Sequence, residues 1–341
     1  VNTLKLRQTS RTVMDKGIKL IKNRSDIGAG TRGSDLGVDA IEVAAINMDD
    51  DFFSRYPTAD IKTHNESIYN KVHATFAKRI RHVHEQCIRV SNVVQFSLLD
   101  QFFPLVFSGD HSSALGTVSG IKSAFPNKTI GVIWIDAHAD IHSPYTSPSG
   151  NVHGMPIAAL LGEDNLENQR NTISKSTLKH WSGMKDLRTD GPKMSADHVV
   201  YFGVRDIEKE ELFQLERLNI RNFTVEEIRF KGADHCIKEA ISRLRSCDMI
   251  YISFDVDSMD CHMISNGTGT PVAKGFDQLE IIQILEGIIE TNKVCCMEIA
   301  EVNPLLDMKG NKMAETAFHI LRTVISKLED SIKQQVELAS T

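Results

Sequence analysis

Ile130-Gly131-Val132-Ile133-Trp134-Ile135 runs directly into Asp136-Ala137-His138-Ala139-Asp140. An apolar run without polar alternation reads as a strand covered on both faces, the kind that parallel sheets contain. The acidic and histidine run then falls at the carboxyl end of that strand, where open α/β sheets place their ligand crevice. Two more stretches repeat the pattern, Leu105 to Phe107 ahead of Gly109-Asp110-His111-Ser112, and Ile250 to Phe254 ahead of Asp255-Val256-Asp257. Further strands are expected at Ile18 to Ile21, Val199 to Val204 and Val294 to Ile299.

Between the strands lie segments of helical period. Ile68, Val72, Phe76, Ile80 and Val83 recur at helical spacing, as do Leu279, Ile282, Leu285 and Ile289, and Met313 to Leu328 reads as a closing helix. Strand and helix in alternation predict an α/β fold, a parallel sheet with helices on both faces. Ser143 to Asn151 is a loop by composition, and so is Glu163 to Met194 apart from one short helix. A chain of 341 residues with 41% hydrophobic residues can bury a large core, and no linker or repeat divides it, so one domain over 1–341 is expected.

Charge and cysteine usage narrow the function. A net charge of -6 carries no basic excess for nucleic acid or an anionic membrane, so neither is an expected partner. No apolar run approaches the roughly 20 residues of a membrane span, and Lys5, Arg7 and Arg11 precede no signal-like apolar core. The six cysteines lack CxxC spacing, with adjacent Cys295-Cys296 on an expected buried strand, so free thiols in the cytosol are expected.

In an extended chain alternate side chains share a face, which would point Asp136, His138 and Asp140 one way, and Asp255 and Asp257 likewise. Five carboxylates and two imidazoles gathered in this manner would repel strongly unless cations lay between them. A carboxylate-rich set without thiolate suits a hard or borderline ion, Mn²⁺ first, with Fe²⁺ or Co²⁺ as alternatives. Two such ions would hold a shared hydroxide ionised near neutral pH, giving a nucleophile without Ser, Cys or Thr.

Gly109 to Ser112, Asp136 to Asp140, Ser253 to Asp260 and Glu301-Val302-Asn303-Pro304 resemble, in order and spacing, the ureohydrolase family of arginase, agmatinase and formimidoylglutamase. The likeness is strong over Ser108 to Leu306. It implies a three-layer α/β/α sandwich with a mainly parallel eight-stranded sheet, assembled as trimers or hexamers. By resemblance one Mn²⁺ is held by His111, Asp136, Asp140 and Asp255 and the other by His138, Asp136, Asp255 and Asp257, with Asp136 and Asp255 bridging.

Within the family the chain is most similar to arginase, on Ser149-Gly150-Asn151-Val152-His153-Gly154-Met155-Pro156. The resemblance then implies hydrolysis of L-arginine to L-ornithine and urea by a metal-bridging hydroxide. Asp140 would orient that hydroxide, and His153 would transfer the proton that releases the amine. Glu301 would pair with the substrate guanidinium. A neutral imidazole titrating near pH 6.5 would suit that shuttle. The α-carboxylate would fall to Ser147, Ser149 and Asn151 and the ammonium to Glu208 and Glu211, with Thr270 also lining the substrate site. His142 stands where the family commonly has asparagine, Glu208 where it has aspartate and Lys274 where glycine is frequent. These departures keep a sister enzyme for agmatine, formimidoylglutamate or another guanidino acid open. A one-metal deacetylase and a non-catalytic amino-acid-binding protein also compete, although no expected ligand is missing.

Gly28-Ala29-Gly30-Thr31-Arg32-Gly33 matches the dinucleotide fingerprint, but Asn23 to Ile27 separate it from the expected strand. The ureohydrolase likeness has a glycine-rich loop here without a nucleotide. His82 and His84 read as surface histidines of an amphipathic helix.

Overall fold

The computed structural model describes residues 14–338. The N-terminal reading of Lys5, Arg7 and Arg11 lies outside the described residues. Eight strands form one sheet: β1 (Ile18–Asn23), β2 (Thr58–Asp60), β3 (Phe103–Ser108), β4 (Ile130–Ile135), β5 (Val199–Phe202), β6 (Arg221–Phe223), β7 (Met249–Asp255) and β8 (Val294–Ala300). Their order is β2-β1-β3-β8-β7-β4-β5-β6, and every pairing is parallel. The three-layer architecture and the eight-stranded parallel sheet implied by resemblance are both present.

Every residue of β3, β4, β7 and β8 is buried, which is why these strands read as predominantly apolar runs. Each Val, Leu, Ile or Phe side chain fully removed from water there contributes about 1.5–3 kcal/mol. Helices cover the sheet, among them Ile80–Leu99, Ala114–Ala124, Gln278–Ile289 and the closing helix Lys312–Leu338. The capping box at Asp277 and Glu280 starts Gln278–Ile289 where the apolar period begins. Among the described residues no helix is long and apolar enough to cross a membrane. All six cysteines are free and buried.

The helical period from Ile68 to Val83 does not form one helix. A short 3-10 turn covers Asn65–Tyr69, the chain from 70 to 79 is irregular, and the helix starts only at Ile80. Arg79 has φ +55°, a left-handed conformation that breaks the helical path. Its neighbours instead meet the loop around Gly150, whose carbonyl accepts from the Lys78 N–H at 2.7 Å. His82 and His84 are half-buried rather than on the surface. The His84 ring lies under Gly183 and against His180, and His82 packs against His64.

The four strands that carry the chemistry-bearing runs are neighbours, β3-β8-β7-β4, so their carboxyl ends deliver His111, Glu301, Asp255 and Asp136 to one crevice.

Candidate metal centre and substrate site

The sheet brings the acidic and histidine runs together, but not by strand alternation. After Ile135 the chain bends, and Asp140 has φ +49°. Carboxylates hold this bend: Asp136 Oδ1 accepts from the His138 N–H (2.7 Å) and Asp257 Oδ1 from the Ala137 N–H (3.1 Å). After β7 the chain turns in the same manner, with Asp255 Oδ1 accepting from the Asp257 N–H at 2.8 Å. His111 opens a 3-10 turn behind β3.

Two clusters result. His111 Nδ1 lies 3.0 Å from Asp136 Oδ2, 3.2 Å from Asp140 Oδ2 and 3.1 Å from Asp255 Oδ2. His138 Nδ1 lies 2.9 Å from Asp257 Oδ2 and 3.5 Å from Asp136 Oδ1. Asp136 therefore presents one oxygen to each histidine. Asp255 joins the His111 cluster only, and because its Oδ1 holds the Asp257 N–H, any bridge it makes would use Oδ2. Asp110, the fifth acid of the runs, turns away: it accepts from the Ser112 N–H and, at 2.8 Å, from the Gly28 N–H. A Cβ on Gly28 would sit 2.8 Å from Asp110 Oδ1, so the glycine-rich stretch admits the chain against this turn.

The centre demands positive charge. Burial and the Asp136 charge push the Asp140 carboxyl up to about 7, and burial with Asp257 and Asp136 drives Asp255 well above the carboxylate range. Burial opposes a charge on His111, yet Asp136, Asp140 and Asp255 raise it well above its ordinary value; His138 is raised likewise by Asp257 and Asp136. His111 Nδ1 is buried without a hydrogen-bond partner, although three carboxylate oxygens surround it. Orphaned nitrogen, crowded oxygens and no thiolate fit divalent cations held by these six side chains.

Sequence reasoning missed the residues behind the candidate ligands. Trp134 stacks on His111, ring centroids 4.0 Å apart, and its indole N–H donates to Asp136 Oδ2 at 2.9 Å. Ser253 Oγ lies 2.6 Å from His111 Nε2. A Trp and a Ser within largely apolar strands were the available signal.

Beside the clusters, Glu301 leaves β8 with φ +68°. Its Oε1 accepts from the His111 N–H and from His153 Nδ1, both at 2.9 Å, while its Oε2 is buried without a partner. Burial disfavours the charged form of both, but each holds the other charged: His153 lowers Glu301, and Glu301 with Asp140 and Asp110 raises His153 to about 9. The neutral imidazole expected near pH 6.5 is thus corrected, because a buried carboxylate sits against its ring.

The remaining expected substrate contacts have partners of their own. Ser147 Oγ accepts from the Gly150 N–H at 2.9 Å and Ser149 Oγ from the Asn151 N–H at 3.2 Å. Asn151 Oδ1 accepts from Lys78 Nζ at 3.1 Å, a contact the sequence did not suggest. His142 Nε2 bonds Glu208 Oε2 at 2.7 Å and lies 3.7 Å from Glu211, whose carboxylate also caps the helix Lys209–Arg217. Thr270 Oγ1 donates to Asp257 Oδ2 at 3.0 Å, so it touches a ligand of the second cluster. Lys274 is left-handed, φ +61°, a conformation that would suit the glycine the resemblance expects here.

Comparison with known proteins agrees with this geometry. The model of the Arginase family matches residues 17–326. The chain is 32% identical over 316 residues to an arginase from Bacillus subtilis strain 168, covering 92% of this chain and 99% of that protein. An arginase from Brevibacillus brevis is 33% identical over 323 residues, covering 91% and 98%. A crystal structure of arginase from Bacillus subtilis superposes with a TM-score of 0.77 at 30% identity, covering 91% of this chain and 98% of that one. With the ligand runs at the ends of adjacent parallel strands and a match along nearly its whole length, this chain belongs to the arginase family.

Proposed function

We propose that the protein hydrolyses L-arginine to L-ornithine and urea, using two manganese ions held by His111, Asp136, Asp140, Asp255, His138 and Asp257. Iron or cobalt would suit the same oxygen-rich set next best. Divalent cations there would neutralise the carboxylates and would supply an ionised water at neutral pH.

One observation carries the substrate reading: the unpartnered, buried Oε2 of Glu301, whose Oε1 is already bonded to His153. A lone buried carboxylate oxygen calls for a donor, and a guanidinium N–H is a charge-assisted one. Glu301 binds the guanidinium and so presents its carbon to the crevice. Asp140, at the seam between His111 and His153, orients the attacking water. His153 donates Nδ1–H to Glu301 and keeps a proton at Nε2 for the departing amine. As the C–N bond breaks, that proton goes to ornithine nitrogen and the water oxygen stays with urea.

The α-end is read by Ser147, Ser149 and Asn151 for the carboxylate and by Glu208 and Glu211 for the ammonium. His142 holds Glu208 at 2.7 Å, which competes with that ammonium and keeps a sister substrate as the second reading. The six buried free thiols fit a reducing, cytosolic setting. A homo-oligomer of one-domain subunits, trimer or hexamer, completes the proposal.

Manganese-loaded protein given L-arginine, agmatine and formimidoylglutamate in parallel separates these readings. Urea and ornithine should appear from arginine at the highest kcat/KM. Urea from agmatine with none from arginine, or formamide from formimidoylglutamate alone, would overturn the assignment.

A further inference from the structure

A line of buried polar side chains runs from the metal centre into the sheet. Glu298 of β8 stands in register with Ser253 of β7 and Val106 of β3. Tyr251 lies two residues before Ser253, and Ser108 two after Val106, so strand periodicity brings all four onto one face. The distances are short: Ser108 Oγ donates to Glu298 Oε1 at 2.6 Å, the Tyr251 hydroxyl lies 2.8 Å from Glu298 Oε2 and 3.2 Å from Ser253 Oγ, and Ser253 Oγ lies 2.6 Å from His111 Nε2. Tyr251, Ser253 and Glu298 are fully buried.

Hydrogen counting gives this line a direction. A carboxylate can only accept, and a phenol has one hydrogen, so Tyr251 donates to Glu298. The phenol oxygen then accepts from the Ser253 hydroxyl, and Ser253, its hydrogen spent, accepts from His111 Nε2–H. That leaves the proton of neutral His111 on Nε2 and a bare lone pair on Nδ1, the nitrogen ringed by Asp136, Asp140 and Asp255. Second-partner hydrogen bonds of this type fix a ligating imidazole's tautomer and raise its basicity.

We infer that Glu298 and Tyr251 are positioning residues for the metal centre: through Ser253 they set His111 as an Nδ1 ligand and strengthen the cation site it belongs to, leaving the His138 site untouched. This rests on the reading of His111 as a metal ligand. Glu298 is otherwise hard to account for, since a carboxylate in the middle of Val-Cys-Cys-Met-Glu-Ile-Ala pays full desolvation where any aliphatic residue would pack.

Titration of the metal-free full-length protein with Mn²⁺, following the electron paramagnetic resonance signal of free aqueous Mn²⁺, resolves the two binding constants. In Tyr251→Phe one of them should weaken roughly ten-fold, the size typical of an outer partner's loss, with the other unchanged. Because Tyr251→Phe strips a partner from a buried carboxylate and can cost folding, Tyr251→Phe/Glu298→Met is the second variant. It removes phenol hydroxyl and charge together, so stability recovers, yet the same single site should stay weakened. Two unchanged constants in a folded variant, or equal loss at both sites, would overturn the relay while leaving the metal centre standing. A parent chain that takes up no manganese would overturn both.

Discussion

His153 and Glu301 form the contact on which the proposed turnover most directly depends. The proton that His153 holds is kept by Glu301, 2.9 Å away, and the same carboxylate steadies the His111 backbone. His153→Asn should therefore lower kcat by about 10²–10⁴-fold, the usual contribution of a positioned proton donor, with two manganese ions still bound. A variant that turns over normally would remove His153 from the chemistry. In the metal-free protein the pair also sets a pH dependence. The His153 pKa is raised to about 9, against burial, by the Glu301 charge, so its stabilisation is complete below the unfolded value near 6.5 and is lost as pH rises through about 9. The metal-free parent should lose melting temperature between pH 7 and 10 by more than His153→Asn does; parallel curves would contradict this. The residues of the candidate metal clusters were legible in the sequence because hard-ion chemistry tolerates few side chains, and these cluster beside strand ends. Trp134, Tyr251, Ser253 and Glu298 were not, since their roles depend on which strands lie side by side.

At the scale of elements, β4, β7 and β8 could be read because burial on both faces writes itself as predominantly apolar sequence. Thr58-Ala59-Asp60 and Arg221-Asn222-Phe223 carry no such mark: β2 and β6 are three-residue edge strands, exposed enough to stay polar. The expected helix from Ile68 failed for a related reason. Its apolar residues satisfy a helical period, yet residues 75–78 are claimed by the loop Ser147 to Asn151, where Gly150 has φ +72° and a Cβ would come within 2.0 Å of Thr75 O. Gly150→Ala should cost about 1–3 kcal/mol for the backbone conformation alone, and more if the clash is not relieved. Lower melting temperature together with a raised KM for arginine would show this loop reading the substrate's α-end. Destabilisation with KM unchanged would show it to be scaffolding only.

Over the whole molecule, the parallel sheet gathers charges that water would otherwise keep apart. Its four central strands end in acids and histidines; burial and mutual repulsion raise Asp140 and Asp255, and the carboxylates raise His111 and His138 against burial. Sequence periodicity delivered six of the strands, and the family resemblance implied their number, eight. Bends rather than strand alternation complete the convergence. Two cations held by the clusters would resolve the electrostatics and the proposed chemistry at once, which makes their number the sharpest question. Manganese per chain, measured by elemental analysis of the loaded, desalted protein alongside urea release from arginine, answers it. Two ions per chain, with activity rising as the second is taken up, is the predicted result; full activity with a single ion would contradict it.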